Sequence, residues 1–511
     1  MPTDTTTHAA RTEGNVPARQ APLAMDADTF RAHGHALVDQ LADLLASIPA
    51  RPITLNDAPS ELRQALDLNR SLPEEGTAAG PLLERAAQDL FDHSLFNAHP
   101  RFFGYITAPP APIGILGDLM ASALNPNVGA WMLSPAASEV EAQTIRWIAE
   151  LIGYPTDCGG LFVSGGNMAN VVCFLAARAA KAPWNVREQG MASERRLVVY
   201  GSAETHTWIQ KAADLSGLGT DAVRWISTDT SLRMDVRALR DAIDADTRGG
   251  ATPFMVAGTA GSVSTGAVDP LREIAAVCRE HDLWFHVDGA YGGFAAVVPD
   301  APADLLSLSG ADSVAVDPHK WLYAPLEAGC SLVRNADHLR NAFAYHPAYY
   351  HFEEAAVNYV DHGPQNSRGF RALKVWLALQ QVGAAGYRQM IGDDMRLSRA
   401  LARAVDGHPD LQLESQALSI ATFRFVPKEL AGRRDEPGVS EYLNELNEQV
   451  LDAVQRGGEA FVSNAVVGGR YLLRACIVNF HTAQSDVDAL PEILVRAGRT
   501  LDASHRPAAL R

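Results

Sequence analysis

Leu283-Trp284-Phe285-His286-Val287-Asp288-Gly289-Ala290-Tyr291 is an apolar run that ends on an acid and then on small residues. Ser313-Val314-Ala315-Val316-Asp317-Pro318-His319-Lys320-Trp321 repeats the pattern, ending on an acid and a lysine. Neither run alternates apolar with polar, so each reads as a strand buried on both faces. Similar short runs stand at Leu197–Tyr200, Val223–Ser227, Phe254–Gly258 and Ser331–Val333. Between two of them Pro270–His281 reads as a helix, with Leu271, Ile274, Ala275 and Cys278 on one face. The expected fold class is α/β, a mainly parallel central sheet covered by helices on both faces. Ligands of such sheets sit beyond the carboxyl ends of the strands.

Four strand ends carry candidate chemistry. Leu161-Phe162-Val163 runs into Ser164-Gly165-Gly166-Asn167 and then a helix pattern to Lys181. Free N–H groups at a helix start suit a phosphate, although taken alone the motif reads first as a tight turn. Asp288 is either an ordinary turn cap or the anion that keeps a heteroaromatic nitrogen protonated, and the small residues after it let a flat ring approach the backbone. Lys320, between Val316 and Trp321, is a snorkelling surface lysine or a desolvated one, which is a Schiff-base nucleophile. Asp288 and Lys320 lie 32 residues apart, about one strand–helix–strand crossover, so they are expected at neighbouring strand ends. His206 follows Leu197–Tyr200 in Ser202-Ala203-Glu204-Thr205-His206, which alone lifts it above the other histidines. A phosphate cradle, an acid for a pyridine nitrogen and an imine lysine together are the protein's half of pyridoxal-phosphate chemistry.

Around this body the sequence changes texture twice. Residues 1–24 read as a disordered tail. Residues 25–104 read as a helical arm or dimerisation segment, whose apolar stripe must be buried on the chain's own body or on a partner subunit. In it Asp26 caps a helix to about Ile48 whose stripe is Phe30, Gly34, Leu37, Leu41, Leu44 and Ile48, and Pro81 suits a first helical position. Residues 105–395 are the large cofactor domain. Residues 396–511 are a small α+β domain with strands at Leu411–Leu413, Ala421–Val426 and Tyr471–Val478 and a helix from Ser485 to Arg499. The chain has 511 residues and a net charge of −17, which argues against nucleic-acid binding through a basic surface and against anionic membranes. The five cysteines form no C-x-x-C pair and read as reduced thiols of a cytoplasmic protein, with no metal site. No secretory signal or membrane span is expected.

On His99-Pro-Arg-Phe-Phe-Gly-Tyr105, Ser134–Glu141, Ser164–Asn170, His286–Tyr291 and Asp317–Trp321, the sequence resembles the group II pyridoxal-phosphate-dependent amino-acid decarboxylases of fold type I, over about residues 26–500. The resemblance implies a pyridoxal 5'-phosphate held as an aldimine at Lys320, with Asp288 bonded to the pyridine nitrogen. His206 would stack on one ring face and Ala290 pack on the other. Gly166 and Asn167 would bind phosphate, with His319 close by and Ser262 and Asp317 as further cofactor candidates. Tyr349, in the mobile loop Tyr345–His351, would protonate the carbanion, with His206 as relay. Tyr105 would touch substrate. The family also implies a homodimer with the site at the interface.

Where family members carry Asn before Pro-His-Lys, this chain has Asp317, an anion that needs a donor other than phosphate. Animal aromatic decarboxylases place rings where this chain has Asn97, Ile106 and Ala130, while Tyr105 is kept. Arg101 and Arg368 are the only evident extra cations for an acidic substrate, and they read as structural or phosphate-facing. An aromatic L-amino acid is therefore the first choice of substrate, decarboxylated to its amine. The alternatives are glutamate, cysteine-sulfinate or diaminobutyrate decarboxylation, a decarboxylating aldehyde synthase, an aminotransferase, or a non-catalytic cofactor-binding scaffold.

Overall fold

The computed structural model describes residues 21–191, 196–346 and 356–510. By internal contacts the chain divides into two units, Met1–Ser47 with Asp57–Ser94 and Ile48–Asn56 with Leu95–Arg511. In the first unit lie α1 (Ala27–Ser47), α2 (Pro59–Ala65) and α3 (Ala79–Asp92). Asp26 caps α1 as expected, its carboxylate accepting the N–H groups of Asp28 at 3.0 Å and Thr29 at 2.8 Å. Leu44 is buried and Leu37 and Leu41 half-buried on the side of α1 that packs on α3, while Phe30, at the start of the stripe, stays exposed. Pro81 is the third residue of α3, not the first, a position where the missing N–H still costs no helical bond.

The second unit continues with α4 (Pro112–Leu124), α5 (Pro135–Leu151), β1 (Gly159–Val163), α6 (Gly166–Lys181), α7 (Val186–Gln189), β2 (Leu197–Ser202), α8 (Trp208–Leu215), β3 (Val223–Ile226) and α9 (Val236–Arg248). Next come β4 (Thr252–Thr259), α10 (Leu271–Glu280), β5 (Trp284–Asp288), β6 (Ser313–Val316), the short turn of helix α11 (Pro318–Trp321), β7 (Gly329–Val333) and α12 (Asp337–Phe343). The seven strands form one sheet in the order β1-β7-β6-β5-β4-β2-β3. Pairs β6–β5, β5–β4, β4–β2 and β2–β3 are parallel, and β7 runs against both its neighbours, so β1 points the same way as the rest. Every residue of β1, β2, β5, β6 and β7 is buried, which is why these runs lack alternation.

The chain then forms α13 (Ala372–Asp406), β8 (Leu411–Ala417), β9 (Ile420–Phe425), α14 (Pro437–Gly457), β10 (Ser463–Val467), β11 (Arg470–Cys476) and α15 (Gln484–His505). The helix α13 passes through position 395 and breaks at Gly383, whose φ of 66° is left-handed. The four strands make an antiparallel sheet in the order β10-β11-β9-β8. Three of these elements, α13, α14 and β10, have no counterpart among the sequence expectations.

Arg368 and Glu141 are fully buried and ion-paired. The guanidinium also donates to the carbonyls of Val128 and Phe162, each at 2.7 Å, and Glu141 accepts the Phe162 N–H at 2.9 Å. This ties α5, β1 and the segment before α13 together, so Arg368 is structural. Removing one partner strands the other charge in the core. Arg368→Ala is expected to lose about 3–5 kcal/mol of stability. Urea unfolding checks this, against a milder loss when Arg368→Met is combined with Glu141→Gln.

Candidate active site

The carboxyl ends of β1, β2, β4, β5 and β6 open on one cavity of about 440 Å³, a volume suited to a small molecule. It is lined by Gly166 and Asn167 from the β1–α6 turn, Glu204 and His206 after β2, and Thr259 at the end of β4. Asp288 and Ala290 come from β5, and Asp317 and Lys320 from β6 and α11. Tyr105 and Ile106 close one side, and Ser463 and Arg474 of the small sheet contribute another. The expectation that Asp288 and Lys320 share a pocket follows from the parallel pairing of β5 and β6, in which Asp288 stands opposite Ala315.

Asp288 is buried, and its Oδ1 accepts the Ala290 N–H at 3.1 Å. Asp317 is buried as well, with Oδ2 3.1 Å from Lys320 Nζ and 3.5 Å from His319 Nε2, so it has the donor that an acid at this place requires. Its Oδ1 has no partner among the described residues. His319 Nδ1 accepts the Ala328 N–H at 3.2 Å, which leaves its proton on Nε2, toward Asp317. Burial pulls the His319 imidazole below its usual range and Asp317 pushes back. At Gly166 an added Cβ would lie 2.6 Å from Asp317 Oδ2 and 2.8 Å from Ala290 Cβ, so only glycine lets these walls meet.

His206 Nδ1 accepts the Trp208 N–H at 3.3 Å, so Nε2 carries the proton. Desolvation lowers its pKa, Asp288 opposes this and Lys320 adds to it, so the ring is neutral near pH 7. Behind the cavity, Trp284 Nε1 donates to Ser313 Oγ at 2.8 Å. Ser313 bonds His286 Nδ1 at 2.8 Å, and His286 Nε2 meets Asn170 Oδ1 at 2.7 Å. This buried chain turns the amide N–H groups of Asn170 away from His286, and Asn170 lines the cavity.

A second buried anchor holds the lysine turn. Asp394 Oδ2, on α13, accepts Trp321 Nε1–H at 2.9 Å and the Tyr323 hydroxyl at 2.7 Å. Trp321 stacks on Tyr291 with ring centroids 4.9 Å apart. Tyr323 has a φ of 54°, a left-handed conformation costly for a bulky residue, and its hydroxyl bond to Asp394 helps hold it.

Other expected residues lie elsewhere. Ser262 is buried with its hydroxyl 3.1 Å from Thr265 Oγ1, inside its own turn, and does not line the cavity. Arg101 pairs with Asp486 at 3.1 Å, away from the cavity. Tyr349 lies outside the described residues. Sequence reasoning missed Arg474, whose Nη1 donates to the Tyr105 carbonyl at 3.1 Å and Ser463 Oγ at 3.0 Å while Nε and Nη2 lack partners among the described residues. Its signal was a lone cation inside the apolar run Tyr471–Cys476.

These residues fit pyridoxal phosphate. They offer a helix start, a strand-end acid with one oxygen unclaimed by the backbone, an adjacent lysine, and a glycine cradle that a Cβ would fill. The family model of the pyridoxal-dependent decarboxylase conserved domain matches residues 59–425. An aromatic-L-amino-acid decarboxylase of Bacillus atrophaeus is 32% identical over 470 residues, covering 91% of this chain and 94% of that one. The chain belongs to the pyridoxal-dependent decarboxylase family.

Its cofactor is pyridoxal phosphate, and as a family member it is a carboxy-lyase acting on amino acids. It is also similar to the phenylacetaldehyde synthase of a Rosa hybrid cultivar, 29% identical over 90% of this chain and 91% of that one. The crystal structure of Oryza sativa TDC with PLP and tryptamine superposes with a TM-score of 0.87 at 28% identity, covering 94% of this chain and all of that one. Among the described residues no cluster that could hold a metal ion occurs, and no helix is long and apolar enough to cross a membrane.

Burial raises the pKa of Asp394 from 3.8 to about 7 against the pull of its two donors. A carboxyl whose folded pKa lies above its unfolded value keeps a proton that the unfolded chain has released. Its contribution to stability is therefore greatest at low pH and falls as pH rises from about 4 to about 7. Asp394→Asn keeps an acceptor for Trp321 and Tyr323 and removes the titration. The stability of the natural protein relative to this variant should decline over that range and level off above it, as measured by urea unfolding at a series of pH values. A gap independent of pH would show that the carboxyl titrates normally.

Proposed function

We propose that this protein decarboxylates an L-amino acid, an aromatic one in the first place, to the amine and carbon dioxide. The observation that carries the reading is the convergence of Lys320, Asp288, His206 and Tyr105 on one cavity. The similarity to the Bacillus atrophaeus enzyme supports the aromatic choice. When bound, pyridoxal phosphate supplies an electron sink for the pair left behind by the carboxylate.

The chain's residues do the rest. Lys320 is the amine that would hold the cofactor. Asp288 would stand beside the ring nitrogen, where a carboxylate favours the protonated ring. Gly166, Asn167 and the start of α6 bind the phosphate, with the buried Asp317 holding Lys320 and His319 in place. His206 presents its Nε2 proton to the reacting side of the cavity. Arg474 offers Nε and Nη2 to an anionic group of the substrate and so orients it. Tyr349 returns a proton to the α-carbon, with His206 as its relay.

Two copies pair to complete the site. Leu116, Leu119, Met120 and Leu124 of α4 are all exposed, as are Met132 and Leu133, an apolar surface that a second copy would cover. The segment Tyr105–Thr107, which lines the cavity, leads directly into α4, so pairing there would border the site. Five unpaired thiols fit a cytoplasmic setting.

Lys320→Ala should abolish both turnover and the visible absorbance of bound cofactor. Activity surviving in that variant would sink the enzyme reading. The aldehyde-synthase alternative is separable, because Tyr349 is retained where that subgroup carries Phe. The natural protein should release amine without ammonia or hydrogen peroxide, and Tyr349→Phe should shift product toward aldehyde, read by assaying all four together. Leu119→Glu with Met120→Asp should turn a dimer into a less active monomer by sedimentation. A natural protein that sediments as a fully active monomer would refute the pairing.

A further inference from the structure

We propose that Glu204 selects the substrate's side chain. The site takes L-amino acids whose side chain carries a hydrogen-bond donor, whether hydroxyl, ring N–H or ammonium, and turns away anionic and purely apolar ones. This rests on the decarboxylase reading and specifies its substrate class.

Glu204 stands in the turn after β2, where its N–H donates to Ser202 Oγ at 3.3 Å, and it lines the same cavity as Lys320, Asp288 and Tyr105. Its Oε2 is buried and meets no hydrogen-bond donor among the described residues. The other charges around the cavity have assignments. Asp317 pairs with Lys320 at 3.1 Å, Asp288 Oδ1 takes the Ala290 N–H, and Arg474 is anchored through Nη1 on the Tyr105 carbonyl and Ser463 Oγ. Glu204 is the remaining acid, and a carboxylate oxygen out of water without a donor is costly.

A ligand that brings a donor removes that cost, one that brings only carbon leaves it standing, and one that brings a second anion adds repulsion. A site built to bond a polar group discriminates strongly against the analogue that lacks it, because its own polar atom is then left bare. The Arg474 donors and the Glu204 acceptor thus give the cavity opposite polarities, suited to a substrate with an anionic end and a donor end. In the sequence the group is the middle residue of Ser202-Ala203-Glu204-Thr205-His206.

The test uses the holoenzyme and two matched pairs, tyrosine against phenylalanine and ornithine against norleucine, with glutamate as the anionic probe. Carbon dioxide release is measured as kcat/KM. At least one pair should favour the donor by about tenfold or more, with glutamate the poorest substrate. Glu204→Leu should bring that ratio to within about threefold, while cofactor absorbance shows that the variant is folded and loaded. Glu204→Gln, which keeps an acceptor and loses the charge, should preserve a hydroxyl preference and weaken an ammonium one. Equal rates within both pairs, or a ratio unchanged in Glu204→Leu, would overturn the proposal while leaving the decarboxylase reading intact. No carbon dioxide from any member would overturn both.

Discussion

The hydrogen bonds that hold β5 beside β6 in parallel are the constraint on which the site depends. Their register sets His286 against Ser313, Val287 against Val314 and Asp288 against Ala315. The Gly289 N–H extends the ladder to the Ala315 carbonyl at 2.9 Å, and the Ala260 N–H joins the Asp288 carbonyl from β4. A slip of one residue would turn Asp288 to the other face of the sheet. Because these strands are buried on both sides, any slip would also move apolar side chains out of fitted positions. Core packing thus fixes the spacing of the acid and the lysine, and the chemistry inherits its precision from the sheet.

Charge then has to be managed at a buried sheet edge. Asp317 holds Lys320 and His319, and the neutral histidines His206, His286 and His319 add no competing charge, since burial lowers all three. The chain from Trp284 through Ser313 and His286 to Asn170 and the Asp394 anchor on Trp321 and Tyr323 lie behind the lining residues. They fix rotamers that would otherwise be free, as a site needs when its geometry must hold to fractions of an ångström. The Asp394 anchor also joins α13 to the lysine turn, which links a segment far along the chain to the reacting group.

The strands of the large sheet were legible because continuous burial leaves a continuous apolar run, and their ends named Asp288, Lys320, His206 and Gly166. The short strand β10 was not legible. Its five residues alternate buried and exposed between glycine pairs, too short a pattern to stand out. The helix α13 was not read from the sequence either, and Gly383 interrupts its pattern. Arg474 was illegible as a site residue for a topological reason. Its place in the cavity depends on how the small sheet meets Tyr105 and Ser463, and no local pattern carries that. Ser262 is a converse case, since its hydroxyl near a strand end lies within its own turn, against Thr265.

The same distinction bears on substrate choice. Three positions, Asn97, Ile106 and Ala130, differ from the rings expected in animal aromatic decarboxylases, yet they do not act alike here. The Asn97 side chain donates to the Ala108 carbonyl at 2.9 Å, which braces the segment that carries Tyr105 and Ile106. Ala130 is buried without lining the cavity. Only Ile106 forms part of the wall, beside a Tyr105 that is 58% exposed and held in place by the bond from Arg474 to its carbonyl. The altered wall is therefore a single aliphatic side chain, a change of shape worth little discrimination by itself. At Glu204 and Arg474 one carboxylate oxygen and two guanidinium nitrogens are buried without partners among the described residues, and such unmet polar atoms cost more than a missing contact. If Glu204 selects the side chain as proposed, the charged walls have a larger say than Ile106 in which amino acid enters.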